Sequence, residues 1–445
     1  MIQARRSLRA ALAAMVVVLP VFWSMGQLDT WWRPPLNAVV YAVMLAVSLP
    51  RALVPLRPGG LLGATAALLA GAICAVGCGM LLAGTNWYEA AGAVVFALGV
   101  AVPVWLRRFG SAWRTAGTIA AIPFLAVLVH PLPDEKSWSF LGWMLLASVM
   151  AYAWAASIHI LTASEPPPPA TPSPARSRRV APSTRMAIQL ALAVGATIAF
   201  GQWTDPDHLV WPVLTALIVH SANRSRGDVL WKGAERTIGA LIGTIIATWL
   251  AGALAPGDSV AIVALFAILA LAAGLREISY VYRAACTTSA LAFLYGYFGQ
   301  TGSNLLAHRL LGVLAGSIIG AAAAWFVLPV RTTDITRLRV GALLAAASDV
   351  ATSAAGGRTD HAALSRLAGS DRELAALTPT VRAARRFGLG PARRLDNSVT
   401  HARSLANSAT TLATRTVGPD DTGHEFADLT RQINHARRSL RESEG

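Results

Sequence analysis

Charge is what this chain has least of. Of its 445 residues, 14% are Asp, Glu, Lys or Arg and 54% are hydrophobic, and the mean hydropathy is +0.50. That balance excludes a soluble globular domain. Cysteine is nearly absent: Cys74, Cys78 and Cys286 all lie in apolar runs, which excludes a disulfide framework. Cys74 and Cys78 share a helical face, but no His or carboxylate stands beside them in sequence, so small residues packing a helix is the better reading. Carboxylates are missing from the middle of every predicted membrane helix. Glu89 and Glu235 stand at helix starts, where the dipole favours them anyway. His130, His159, His220 and His308 fall near helix ends and read as interfacial structural histidines. Their placement argues against a tightly proton-coupled pump without excluding one. No Gly-rich loop ends in Gly-Lys-Ser/Thr, and no Ser/His/Asp or metal-ligand cluster has useful spacing. An ATP-driven exporter within this chain is thereby disfavoured, an enzyme is a poor third choice, and no cofactor is expected.

What is abundant is apolar length. About 20 apolar residues cross a bilayer, and helices are expected at 8–25, 36–50, 59–83, 88–106, 111–130 and 138–162. A second set is expected at 185–202, 209–222, 236–254, 258–275, 279–298 and 305–328. The N-terminus is basic and then apolar like a signal peptide, but it lacks a clear small-x-small site and reads as a retained helix. "SEPPPPATPSPARSRRVAPS" between the sets can neither pack nor span and reads as a linker.

The loops set the expected orientation. Those with Arg5, Arg6, Arg9, Arg51, Arg57, Arg107, Arg108 and Arg176 alternate with those bearing Asp29, Glu89, Asp134, Glu135, Asp205, Asp207 and Asp258. The positive side is cytoplasmic, which places both termini and the linker inside a multi-pass protein of the inner (plasma) membrane. The net charge of +15 is then topological, and no nucleic acid is expected as partner.

An arginine recurs inside the fifth helix of each half. "LRRFGSAWRTAGTIAAIPFL" (106–125) and "LREISYVYRAACTTSALAFL" (275–294) share eight of twenty positions at an offset of 169, among them Arg114/Arg283 and Thr118/Thr287. At an offset of 180 stand Trp31/Trp211, Gly59/Gly239 and Gly63/Gly243. The expectation is an all-α membrane protein of about 12 spans in two parallel six-helix repeats. Its expected parts are a first repeat at 1–163, a linker at 164–184, a second repeat at 185–329 and a cytoplasmic helical domain at 330–445. From Arg331 onward stand 17 Arg and 12 acidic residues with no long apolar run. Breaks at "AAGGR", "FGLGP" and "VGPDDTG" suggest about four helices. That domain is either a dimerisation and stability module, through which the chain could form a homo-oligomer, or a regulatory cap.

Arg114 and Arg283 either snorkel to headgroups or face each other as a selectivity element for anions, with Thr118 and Thr287 on their own faces. "ERTIGALIGTIIA" and "HRLLGVLAGSIIGAAAA" share Arg, two residues, Gly, three residues, Gly: Arg236, Gly239 and Gly243, then Arg309, Gly312 and Gly316. The glycine spacing suits close helix packing. Arg236, at its helix start, reads as structural. Arg309 lies toward the outer end of the last span, against the charge bias, where a substrate or a carboxylate would meet it.

The stretch 207–247 holds Trp211, Leu214, Thr215, Arg236, Gly239, Gly243 and Thr244, and Arg309, Gly312, Gly316 and Pro329 follow. As an ordered set these resemble the fusaric acid resistance or aromatic acid exporter superfamily, distantly similar to the plant malate channels. The likeness covers about 185–330. Residues 1–163 enter only through the internal repeat, with "RPGGLLGAT" where the Arg-x-x-Gly-Thr pattern would stand. The resemblance implies six-helix units and a helical cytoplasmic part, a fused pair with Arg114 and Arg283 facing each other, and export of small organic anions, aromatic carboxylates foremost. The alternatives from sequence are a passive organic-anion channel and a non-transporting membrane scaffold.

Overall fold

The computed structural model describes residues 2–32, 34–56, 58–82, 87–129, 138–162, 181–221, 225–251, 259–275, 278–297, 303–355, 360–386, 392–414 and 423–442. Among these, every regular element is a helix, and seventeen are α-helices. The twelve expected apolar helices are all present. They are α1 (Ile2–Trp32), α2 (Leu36–Leu53), α3 (Leu61–Leu82), α4 (Trp87–Leu106), α5 (Ser111–Val129) and α6 (Trp138–Thr162), then α7 (Pro182–Thr204), α8 (Val210–Ser221), α9 (Arg226–Ala251), α10 (Ser259–Leu275), α11 (Tyr280–Tyr297) and α12 (Ser303–Phe326).

Seven of these, α1–α4, α6, α7 and α12, are long and apolar enough to cross a membrane, and α5, α8 and α10 hold shorter apolar stretches. α9 and α11 carry Arg236 and Arg283 with several hydroxyl residues inside their apolar lengths. α1 runs well beyond the expected 8–25, straight through Pro20. A membrane helix tolerates proline when neighbours re-satisfy its backbone. Past the proline, Ser24 Oγ donates to the Pro20 carbonyl at 2.7 Å and accepts from Trp154 Nε1 of α6 at 2.9 Å, tying α1 to its neighbour. Large apolar side chains such as Val102, Ile245, Leu311 and Ile318 point outward, as lipid contact requires.

The chain divides into two compact units. The first holds the described parts of 1–166, 177–223 and 232–328. Within it, packing pairs recur six helices apart. α1 packs on α2 and α7 on α8; α2 on α6 and α8 on α12; α1 on α6 and α7 on α12; α4 on α5 and α10 on α11. Three pairs cross between the sets, α4 with α7, α10 with α1 and, less extensively, α5 with α8. Glycines carry the closest approaches. A Cβ on Gly71 of α3 would lie 2.3 Å from the Ala120 carbonyl of α5, and one on Gly243 of α9 would lie 2.4 Å from the Ala285 carbonyl of α11. Gly59 and Gly63, which align with Gly239 and Gly243 in sequence, meet nothing within 4 Å. The two halves therefore make corresponding helix contacts from different positions.

The second unit is built mainly from residues 329–445 and holds α13 (Thr332–Ala355), α14 (His361–Ala375), α15 (Thr378–Arg386), α16 (Ala392–Thr414) and α17 (Gly423–Glu442). It has five helices where four are expected from its breaks, because Thr378-Pro379 starts α15 only two residues after α14 ends. α13 packs on α14, α16 and α17, around Leu343, Leu344, Ala347, Leu374, Leu405 and Ile433. Asp360 caps α14 by accepting from the Ala362 and Ala363 amides at 2.8 and 3.1 Å. Arg403 forks onto Asp371 through Nε (2.7 Å) and a terminal nitrogen (3.1 Å).

Candidate functional site

α8 is wholly enclosed from Trp211 to Leu217. Its neighbour α12 lies against it along a glycine ridge. Cβ atoms on Gly312 and Gly316 would meet the Trp211 Cβ at 2.7 Å and the Pro212 carbonyl at 2.4 Å, and Gly320 lies beside His220, whose Nε2 contacts the Gly320 carbonyl at 2.9 Å. The Arg-x-x-Gly spacing puts Arg309 one turn before the ridge on the same face. There the close helices enclose it to 3% exposure, its guanidinium 4.5 Å from the Trp211 ring centre.

The same logic holds on α9, where Gly239 and Gly243 lie against Ala284, Ala285 and Thr288 of α11. Arg236, one turn before Gly239, is enclosed to 6%. Its Nε donates to Thr215 Oγ1 of α8 at 3.1 Å, and it hydrogen-bonds the Tyr280 hydroxyl of α11. The described hydrogen-bond partners of this buried cation are therefore neutral. Arg283 is half-buried, 5.9 Å from the centre of the Tyr280 ring, and close enough for its charge to act on Arg236. Trp211 and Thr215 are i and i+4 on α8, so the contacts of Arg309 and Arg236 fall on one face about 6 Å apart along the axis. Thr237 Oγ1 reaches Ser317 Oγ at 3.3 Å and ties α9 to α12 behind this row.

The repeated arginines are not brought together. Arg114 is exposed, and α5 packs on α2, α3, α4 and, less extensively, α8. Thr118 is also exposed, and its hydroxyl donates to the Arg114 carbonyl at 2.8 Å. Thr287 likewise donates to its own helix, at the Arg283 and Ala284 carbonyls. Both threonines thus spend their donors on local backbone. Nor is the arginine row duplicated: 169 residues before Arg309 stands Phe140, which is buried. His130 and the side chain of Glu89 lie outside the described residues. His159 Nε2 contacts the Leu56 carbonyl at 3.1 Å.

A second group gathers where α7 ends and α12 begins. Asp205 Oδ1 lies 2.8 Å from His208 Nδ1, and Asp205 Oδ2 lies 2.5 Å from His308 Nδ1. The two imidazoles stack with centres 4.5 Å apart at 17°. Partial burial pushes the Asp205 carboxyl up, but the hydrogen bonds and charges of His208 and His308 outweigh it and hold the group below the usual carboxylate range. His208 was legible only as the partner in an Asp-x-x-His spacing before α8. His308, 103 residues from Asp205, had no local signal.

The family model of fusaric acid resistance protein-like proteins matches residues 194–323. This segment is similar to that family. It contains α8–α11 with the C-terminal part of α7 and most of α12, hence the whole arginine row and the Asp205 group. No curated protein and no solved structure matches the chain. The match and the seven helices long and apolar enough to cross a membrane support a multi-pass membrane protein.

Proposed function

We propose that this chain is an inner-membrane permease that moves small organic anions, aromatic carboxylates first among them, out of the cytoplasm. The observation that carries the reading is Arg236, a buried guanidinium whose described hydrogen-bond partners are the hydroxyls of Thr215 and Tyr280. A buried cation without a compensating anion is costly, and a carboxylate meets its planar fork bidentately. Arg309 over Trp211, one turn along α8, offers a second station with an aromatic face. Twelve spans in two parallel repeats, both termini inside, suit the helix pairs that recur six apart, and residues 330–445 then form a cytoplasmic domain. The anion path belongs to the second repeat, with Arg283 at its inner approach. Arg114, exposed on α5, is a headgroup anchor in this reading.

The test is flux of radiolabelled benzoate from liposomes, with fold checked by helicity and gel filtration. Arg236→Gln and Arg309→Gln should each lower flux about tenfold or more, equivalent to about 1.4 kcal/mol of lost stabilisation. Arg114→Gln should leave it within about twofold. Loss of flux in Arg114→Gln with retention in Arg236→Gln would return the path to the repeated arginines. Full flux in all three would take the path away from these arginines, and no flux even from the unsubstituted chain would favour the scaffold.

A further inference from the structure

The Asp205, His208 and His308 group is used by neither the packing nor the anion row. Each residue offers one metal-ligating atom, and these atoms all lie within 4.8 Å of one another. We propose that this group is a binding site for a divalent transition-metal ion of the zinc type, with one carboxylate and two imidazole ligands.

The chemistry of the donors selects the class of ion. Two imidazoles and one carboxylate suit Zn²⁺, Co²⁺ or Ni²⁺, whereas Mg²⁺ and Ca²⁺ take oxygen ligands. The geometry selects a single ion. Both Nδ1 atoms converge on one carboxylate at 2.8 and 2.5 Å. Ligands on a tetrahedral zinc stand roughly 3.2–3.5 Å apart, given bonds of about 2.0–2.1 Å. The triad therefore needs to open by less than about 1 Å at either nitrogen. Stacking two imidazolium rings would set like charges face to face. One dication between the same nitrogens replaces their protons and leaves both rings neutral. The side chains of Asp205, His208 and His308 are 30%, 26% and 42% exposed, open enough for an ion to arrive from solvent. Three protein ligands also leave a coordination position for water or another small ligand.

The consequence is a clasp. Asp205 and His208 lie on the turn from α7 to α8, and His308 lies in the first turns of α12, one residue before Arg309. The ion joins the segments that carry Trp211 and Arg309.

The experiment uses the full chain in detergent, with any purification tag removed. Co²⁺ is titrated while the visible d–d absorption is followed, and Zn²⁺ is then added as competitor. The expected result is one Co²⁺ per chain, displaced by Zn²⁺ and not by a hundredfold excess of Mg²⁺. His308→Gln and Asp205→Asn should each weaken Co²⁺ binding at least tenfold in chains that keep wild-type helicity. His159→Gln, away from the group, should bind as wild type. No Co²⁺ bound by wild type, or equal binding by all variants, overturns the proposal. Metal rather than flux is read, so the result stands or falls apart from the anion reading.

Discussion

A guanidinium held over an indole at 3% exposure is shaped for planar contact, and its planarity is testable apart from its charge. Arg309→Lys keeps the cation but loses the flat face that stacks on Trp211. It should raise the KM for benzoate several-fold while changing the maximal rate less, as measured by concentration-dependent liposome flux. Thr215 is fully buried, and its Oγ1 accepts from Arg236 Nε. Thr215→Val leaves that N–H without its acceptor, at a cost of about 1–3 kcal/mol. The check is thermal unfolding in detergent, in which Thr215→Ser should recover most of the loss. Arg309 stands out in the sequence as an arginine against the expected charge bias of the last span, which is visible in a string of letters, and the structure shows it enclosed over Trp211. Arg236 reads as structural in the sequence because a helix-start arginine normally reaches headgroups. Only the approach of α8 and α11 encloses it, and the glycines that permit the approach do not name the helices that make it.

Among the elements, α12 shows how spacing becomes position. Gly312, Gly316 and Gly320 recur every four residues and run along α8. Their order of tightness predicts the order of damage. A Cβ on Gly316 would sit 2.4 Å from the Pro212 backbone oxygen, whereas one on Gly320 would sit 3.4 Å from the tip of His220. Gly316→Ala should therefore destabilise by about 1–3 kcal/mol and Gly320→Ala by much less. Gly63→Ala, in a helix position open on every side, should gain about 0.5–1 kcal/mol from helix propensity. Reversible unfolding in mixed micelles ranks the three. Helix existence was legible throughout the first twelve elements, since runs of apolar residues bounded by loop residues leave few alternatives. Helix ends were less so. α1 continues far past its apolar stretch, straight through Pro20, and the α14–α15 break rests on one Thr-Pro pair.

In the whole chain, the two units differ in what holds them. The second is an ordinary helical bundle whose centre is α13, so its stability follows core volume. Leu343→Ala, at a fully buried position, should cost about 2–5 kcal/mol, seen as an earlier chemical-unfolding transition of the full chain. The first unit is organised by correspondence: α4 lies on α7 as α10 lies on α1, yet Arg309 is answered by Phe140 and Gly239 and Gly243 by no tight glycine at the aligned positions. The sequence makes the recurrence visible through Arg114 and Arg283, which the packing surrounds differently, one exposed and one half-buried beside Tyr280. A doubled frame with an undoubled arginine row distributes mutational tolerance unevenly. In a deep library of single variants selected for export, helices α1–α6 should accept almost any exchange that keeps volume and hydropathy. The positions of α8, α9, α11 and α12 around the proposed anion row should accept few, which is the outcome that a path confined to the second set of helices requires.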